Sequence, residues 1–524
     1  MKRSVLLQHC HSERSEEPRK RSLRSLARSR SAAPQRRLFA SLRMTRFLVS
    51  VACLTTTQVA RGIGGVDAPP APSARHEIKF ATPQETQLAN GLRVIVVERH
   101  RLPLLSAQLL VRDGATADPA DLAGTAAMTG ELLTKGTETM PAPEIASAIE
   151  SLGGSIDSGA GRETSAASVL VMSDKAEPAL RILADVVLHP AFKPQEIDRL
   201  RSQRLDYLRV ALQQPGSLAR FVTDRVVFGS GPYGHATNGT LETLPAIGRD
   251  QIVKFYKRHY APQNAVFVLV GNVTLDEGKD FAEKFFGAWK NQEFAPNETT
   301  ASTTEEWKAK NLVVDMPDAG QAAVTVAKPA IKRKSPEYYA ALVANAALGN
   351  GFASRLNREI RIKRGLSYGA GSSLDARRQS GLFIASAQTK NESAAEVAKL
   401  LGTELRRMVS DPVQGEELRS RQAVLIGRYS RNLETNEGFL SELNALVAYD
   451  LPLDTLDKYI PSIEAVTSDG VTSFAKKYFT TPVSLIIVGK AADFLEALKK
   501  NQPDVKVIEQ RELDLNRAEL VKEK

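Results

Sequence analysis

Ser354-Arg355-Leu356-Asn357-Arg358-Glu359-Ile360-Arg361-Ile362-Lys363-Arg364-Gly365-Leu366-Ser367-Tyr368 is the stretch whose reading decides the rest. It follows an apolar helical pattern, Tyr338 to Leu348, and the small-residue break Gly349-Asn350-Gly351. Residues 354–363 are rich in Arg, Leu, Ile and Glu, which favour helix. Gly365 stands where a left-handed cap would stop that helix. Leu366, Ser367 and Tyr368 are then expected to leave in a new direction, as a strand. That geometry can place Arg361, on the last helical turn, and Tyr368, beyond it, around one point in space. A guanidinium and a phenol there form a pair of donors for peptide carbonyls. Read from these residues alone, a surface arginine and a half-buried strand tyrosine stand as the alternative.

Outward from this stretch the chain reads as two repeats. In the first half, strands are expected at 92–97, 105–111, 165–172 and 265–270, with a turn at Asn90-Gly91. Helices are expected at 121–134, 145–152, 176–188, 194–212 and 252–260. The second half offers a strand at 383–387 and helices at 393–409 and 412–432. Lys257-Arg258-His259-Tyr260 ahead of Leu269-Val270-Gly271 answers Lys476-Lys477-Tyr478-Phe479 ahead of Ile487-Val488-Gly489. This implies two homologous lobes of about 200 residues each, of α+β class. The lobes are placed at 78–292 and 309–495, joined by a linker at 293–308 and followed by a charged tail at 496–524.

Composition narrows the function classes. The chain is 42% hydrophobic and 25% charged, as in soluble globular proteins. Residues 1–43 hold 12 Lys or Arg and three Asp or Glu, so they carry +9 of the net +10. The remaining body is near neutral, which argues against a nucleic-acid surface. Both cysteines, Cys10 and Cys53, fall in the first 65 residues, so the body has no disulfide or thiolate chemistry. Those 65 residues read as a disordered or mis-started leader followed by a signal peptide. Met44 is the better start, then Thr45-Arg46, then the apolar run Phe47 to Leu54, with cleavage near Gly62 or Gly65. A periplasmic or otherwise exported protein, with no stable membrane span, is expected.

Arg355-Leu356, Arg361 and Gly365-Leu366-x-Tyr368 resemble the C-terminal half of the insulinase-like (pitrilysin, mitochondrial processing peptidase) zinc peptidases, and the resemblance extends over roughly residues 84–495. It implies paired lobes in a clamshell, each layering helices on a mainly antiparallel sheet. It also implies that Arg361 and Tyr368 hold the substrate backbone, reaching across a chamber.

Catalytic members of that family carry His-x-x-Glu-His just before Lys-Gly-Thr, two histidines binding zinc from one helix face and the glutamate polarising water. Here the landmark Lys135-Gly136-Thr137 is intact, but Ala127 and Glu131 stand in the histidine positions and Gly130 in the glutamate position. The third ligand should fall within Leu205 to Leu208, where Asp206 is the one carboxylate. Two carboxylates without imidazole make a weak zinc site. The expectation is therefore a chain that binds no metal itself and serves as the non-catalytic, substrate-binding subunit of a heteromeric peptidase. A zinc-bearing partner would supply the metal, and unfolded peptides would add as a strand to a sheet edge, Ser155 to Ala160. A catalytically inactive scaffold or peptide-binding protein of the same fold is the alternative, and an active enzyme using a substitute site is a third reading.

Overall fold

The computed structural model describes residues 79–296 and 307–523. The expected leader and signal peptide, and most of the expected linker, lie outside the described residues. Two six-stranded sheets form the body. The first contains β1 (Gln84–Gln87), β2 (Arg93–Glu98), β3 (Leu104–Val111), β4 (Ser155–Ala160), β5 (Ser165–Met172) and β6 (Ala265–Gly271). The second contains β7 (Asn311–Asp315), β8 (Ala322–Ala330), β9 (Ala370–Asp375), β10 (Gly381–Thr389), β11 (Ser484–Gly489) and β12 (Lys506–Glu509). Their orders are β1-β2-β6-β3-β5-β4 and β12-β7-β11-β8-β10-β9, so five strands repeat one order and the sixth is added from opposite ends of the halves, β1 antiparallel and β12 parallel to its neighbour.

The sheets are mixed. In the first, β2 and β6 run parallel and the other pairings are antiparallel. In the second, β7 runs parallel to both β11 and β12. The expected charged tail is corrected here. Residues 506–509 form β12, and Ile508 and Leu520 are buried, because β7 needs a partner on its outer edge and the tail supplies it.

The helices of eight or more residues are, in the first half, α1 (Thr125–Leu132), α2 (Ala142–Ser151), α3 (Ala176–Leu188), α4 (Pro194–Ala211), α5 (Pro215–Phe228), α6 (Arg249–His259) and α7 (Leu275–Phe286). The second half has α8 (Tyr338–Leu348), α9 (Ala394–Ser410), α10 (Gly415–Asn432), α11 (Asn436–Ala448), α12 (Thr455–Glu464) and α13 (Ser468–Tyr478). No helix among the described residues is long and apolar enough to cross a membrane.

One face of each sheet packs on helices of its own half. Val94, Val96, Leu109, Phe267 and Leu269 meet Met128, Leu180, Leu200 and Phe286 in one core. Val324, Val326, Phe383 and Ile487 meet Val343, Leu401 and Phe474 in the other. The opposite faces are covered by exchange. Ile95, Val97, Val266, Val268 and Val270 of the first sheet pack on Phe439, Leu440, Leu443 and Val447 of α11, from the second half. Val314, Ala327, Ile486 and Val488 of the second sheet pack on Leu218, Val222 and Val226 of α5, from the first half. Strand β6 is buried along its whole length, which explains its unbroken apolar sequence. Burying each such side chain contributes about 1.5–3 kcal/mol, so each half adds to the stability of the other's sheet.

Equivalent hairpin turns meet between the sheets. The β4–β5 turn offers Arg162, whose Nη2 donates to Asp224 of α5 at 2.8 Å, and Glu163, which accepts from the Tyr233 hydroxyl at 2.5 Å. The β9–β10 turn offers Arg377, 3.7 Å from Asp224, and Arg378, whose Nε donates to the Ala448 carbonyl at 3.0 Å.

Candidate functional site

Helix α1 carries the positions of interest, and local chemistry fixes it tightly. Gly124 precedes it at φ +100, a left-handed conformation that costs glycine little. Asp118 accepts from the Gly124 and Ala126 backbone N–H groups, both at 2.8 Å, and so caps the first turn. Burial nevertheless pushes the Asp118 carboxyl up to about 7. At the other end Gly136 sits at φ +130, and the buried Thr137 hydroxyl accepts from the Met140 N–H at 2.9 Å. The Lys-Gly-Thr landmark thus terminates the helix whether or not a metal lies beside it.

Within α1 every residue except Glu131 is buried. Ala127 offers no donor atom. A Cβ on Gly130 would lie 2.5 Å from the Gly159 carbonyl carbon and 2.8 Å from its oxygen. Both are backbone atoms of β4, so no side chain fits at position 130 unless strand or helix moves. Glu131 is engaged already: Arg204 Nη2 of α4 lies 2.7 Å from its Oε1. Burial holds the Arg204 guanidinium below its ordinary value, and the Glu131 carboxylate partly offsets this.

Asp206 does not join them, which corrects its placement at this site. Helix α4 turns it outward, 73% exposed and paired with Arg209 at 2.6 Å, and presents Arg204, half a turn earlier, to Glu131. A carboxylate locked to a guanidinium, an alanine and a glycine do not fit zinc. Among the described residues no group of three or more His, Cys, Asp or Glu is placed to hold a metal ion. Arg204 escaped the sequence reading. Its only signal was the density of arginines along α4, which also describes an ordinary solvated face.

The Arg361 and Tyr368 region departs from a plain helix and strand. Residues 357–363 widen into a π-helical turn. Gly365 stops it at φ +64, as expected, while Leu366 N–H reaches back to the Ile360 carbonyl at 3.0 Å. Strand β9 starts only at Ala370, because the Ser367 hydroxyl bonds both the Gly369 carbonyl and N–H and folds that segment into a local turn. Tyr368 is left 92% exposed. Arg361 lays its guanidinium 4.9 Å over the Phe352 ring. No hydrogen bond joins Arg361 and Tyr368 among the described residues.

Tyr368 lines a cavity of about 830 Å³ between α4 and α5 on one side and β8, β9 and β10 on the other. Tyr207 of α4, 68% exposed, lines the same space, as does Asn238, whose carbonyl accepts from Arg204 at 3.5 Å. The cavity therefore runs from the edge of the closed metal position to Tyr368. Arg361 lies outside its lining.

The two terminal strands beside the site differ. Strand β4 pairs only with β5, and none of its residues makes another backbone hydrogen bond among the described residues. The outer side of β9 is occupied, since Ser372 N–H donates to the Gly349 carbonyl at 3.1 Å.

Comparison with known proteins agrees with this architecture. Residues 93–225 match the insulinase (peptidase family M16) model, and residues 246–425 match the peptidase M16 inactive domain model. An uncharacterized zinc protease of Mycobacterium leprae is 27% identical over 409 residues, covering 78% of this chain and 92% of the relative. Another, YmxG of Bacillus subtilis, is 22% identical over 404 residues, covering 77% of this chain and 97% of the relative. The crystal structure of a peptidase M16 inactive domain from Pseudomonas fluorescens superposes with TM-score 0.71 at 27% identity, over 78% of this chain and 98% of that one. A protease from Helicobacter pylori shares the fold with TM-score 0.72 at 19% identity, over 78% of this chain and all of that one. With two domain models of one family matching in succession along a repeated sheet order, this chain belongs to the insulinase-like M16 peptidase family.

Proposed function

We propose that the chain is the non-catalytic, substrate-binding subunit of an exported, heteromeric insulinase-like peptidase whose zinc is carried by a second chain. The observation that carries the reading is a contrast within one molecule. The metal position is closed by the Glu131–Arg204 pair and the Gly130–Gly159 contact, while Tyr368 stands open on the wall of a large cavity. Tyr368 thus offers a hydroxyl to whatever enters the cavity, where the closed position offers no metal.

In this reading an extended peptide adds to the open edge of β4, where backbone N–H and C=O groups give affinity without sequence preference. Arg361 and Tyr368 act as donors to peptide carbonyls presented to the partner. Each orients the backbone, and neither needs to gain or lose a proton. The contact between Arg361 and Phe352 is the resting position of a long side chain that has no ion-pair partner among the described residues.

Co-purification from the native host tests the proposal. The expected result is one M16 relative bearing His-x-x-Glu-His, with peptide hydrolysis by the pair and none by either chain alone. Recovery of the chain without such a relative, together with peptide binding, would favour the scaffold reading instead.

A further inference from the structure

We infer that the cavity selects acidic peptides, and that Arg220 is the residue that reads them. The inference rests on the peptide-binding reading above and adds a substrate class to it. Charged side chains lining the cavity are few: Arg162, Arg220 and Asp224. Arg162 and Asp224 cancel, bonded at 2.8 Å, and Asp224 is approached from its other oxygen by Arg377 at 3.7 Å. Arg220 has no ion pair or hydrogen bond among the described residues, and it is exposed. The wall therefore presents one uncompensated positive charge and no free carboxylate.

The uncharged lining reinforces that sign. Two exposed phenols, Tyr207 and Tyr368, face the cavity alongside hydroxyl and amide side chains such as Ser217 and Gln388. Hydroxyls and amides can donate or accept, so a carboxylate finds donors here, whereas a lysine or arginine of a peptide meets Arg220 and an already occupied Asp224. A guanidinium with no carboxylate beside it attracts anions, most strongly at low salt. Arg220 sits on α5, the helix held against the second sheet by exchange, so its position is fixed by a packed core rather than a loop.

The test uses the full chain and three fluorescent decapeptides of one sequence, with two central positions as Glu, Gln or Lys. Binding is followed by anisotropy at low and high salt. The expected order is Glu tightest and Lys weakest, with Glu over Gln by about fivefold at low salt and less at high salt. Arg220→Gln is expected to bring the Glu-to-Gln ratio close to one, and Arg220→Glu to invert it. Equal affinity of all three peptides for the unmodified chain overturns the inference and leaves peptide binding standing. An order that survives Arg220→Gln overturns the assignment to Arg220. Failure of every peptide to bind overturns the reading beneath it as well.

Discussion

The two lobes share a strand order, yet they put it to opposite uses. In the first, α1 lies so close to β4 that position 130 has no room for a side chain, and the strand's outer edge is left open. In the second, the end of α8 lies so close to β9 that the Gly349 carbonyl takes the Ser372 N–H, and the donors sit beyond the helix. In the proposed function one lobe offers a backbone edge and the other offers side chains. A repeated scaffold can thus divide binding between its copies by changing only what sits against a terminal strand.

The comparison breaks most severely where the lobes exchange helices. Leu443→Ala on α11, fully buried against the first sheet, is expected to cost about 3 kcal/mol, as is its counterpart Leu218→Ala on α5. Because each helix stabilises the opposite sheet, denaturant unfolding should stay a single transition in both variants. Two resolved transitions, one per lobe, would refute the coupling.

Next in size is the donor side. With a zinc-bearing partner present, Arg361→Ala should slow peptide cleavage by about a hundredfold, the effect of losing one donor to the peptide backbone. Tyr368→Phe should do somewhat less, since it removes one hydroxyl and keeps the ring. Assembly, read by size-exclusion chromatography, should be unchanged in both. Wild-type rates in both variants would make the pair structural.

On the closed side, Gly130→Glu should cost about 2 kcal/mol through overpacking against β4. Gly159→Ala, whose Cβ meets nothing within 4 Å, should cost far less. Equal stabilities in a urea titration would mean that position 130 is roomier than its contacts imply. The smallest effect is expected from Glu131→Gln, about 1 kcal/mol, because Glu131 is 41% exposed and water replaces part of what Arg204 loses. Metal analysis of the dialysed chain should find no stoichiometric zinc. The double change Ala127→His with Glu131→His should not create a zinc site while Arg204 remains.

Much of this was legible in the sequence. Helices 176–188 and 338–348 and the apolar strand Ala265–Gly271 declare themselves through periodicity and length. Helices α5 and α11 did not. Pro215-Gly216 looks like a turn, although proline at a first helical position is preorganised for helix, and the capping role of Thr435 toward Gly438 is visible only once the turn exists. The empty histidine and glutamate positions followed from counting back along one helix from Lys135. The partner of Glu131 did not, because Arg204 and Asp206 differ by two residues, about 200° around α4, and sequence spacing alone cannot choose between them.

The exchange of α5 and α11 also sets a timetable for synthesis. When β6 has left the ribosome, the first sheet has all its strands, yet Ile95, Val97, Val266, Val268 and Val270 still face water. Their cover arrives only with residues 436–448, well over a hundred residues later. Throughout that interval the nascent chain displays an apolar sheet face of the kind that holdases recognise. A polypeptide built this way keeps its first half unfinished until residues 436–448 are made.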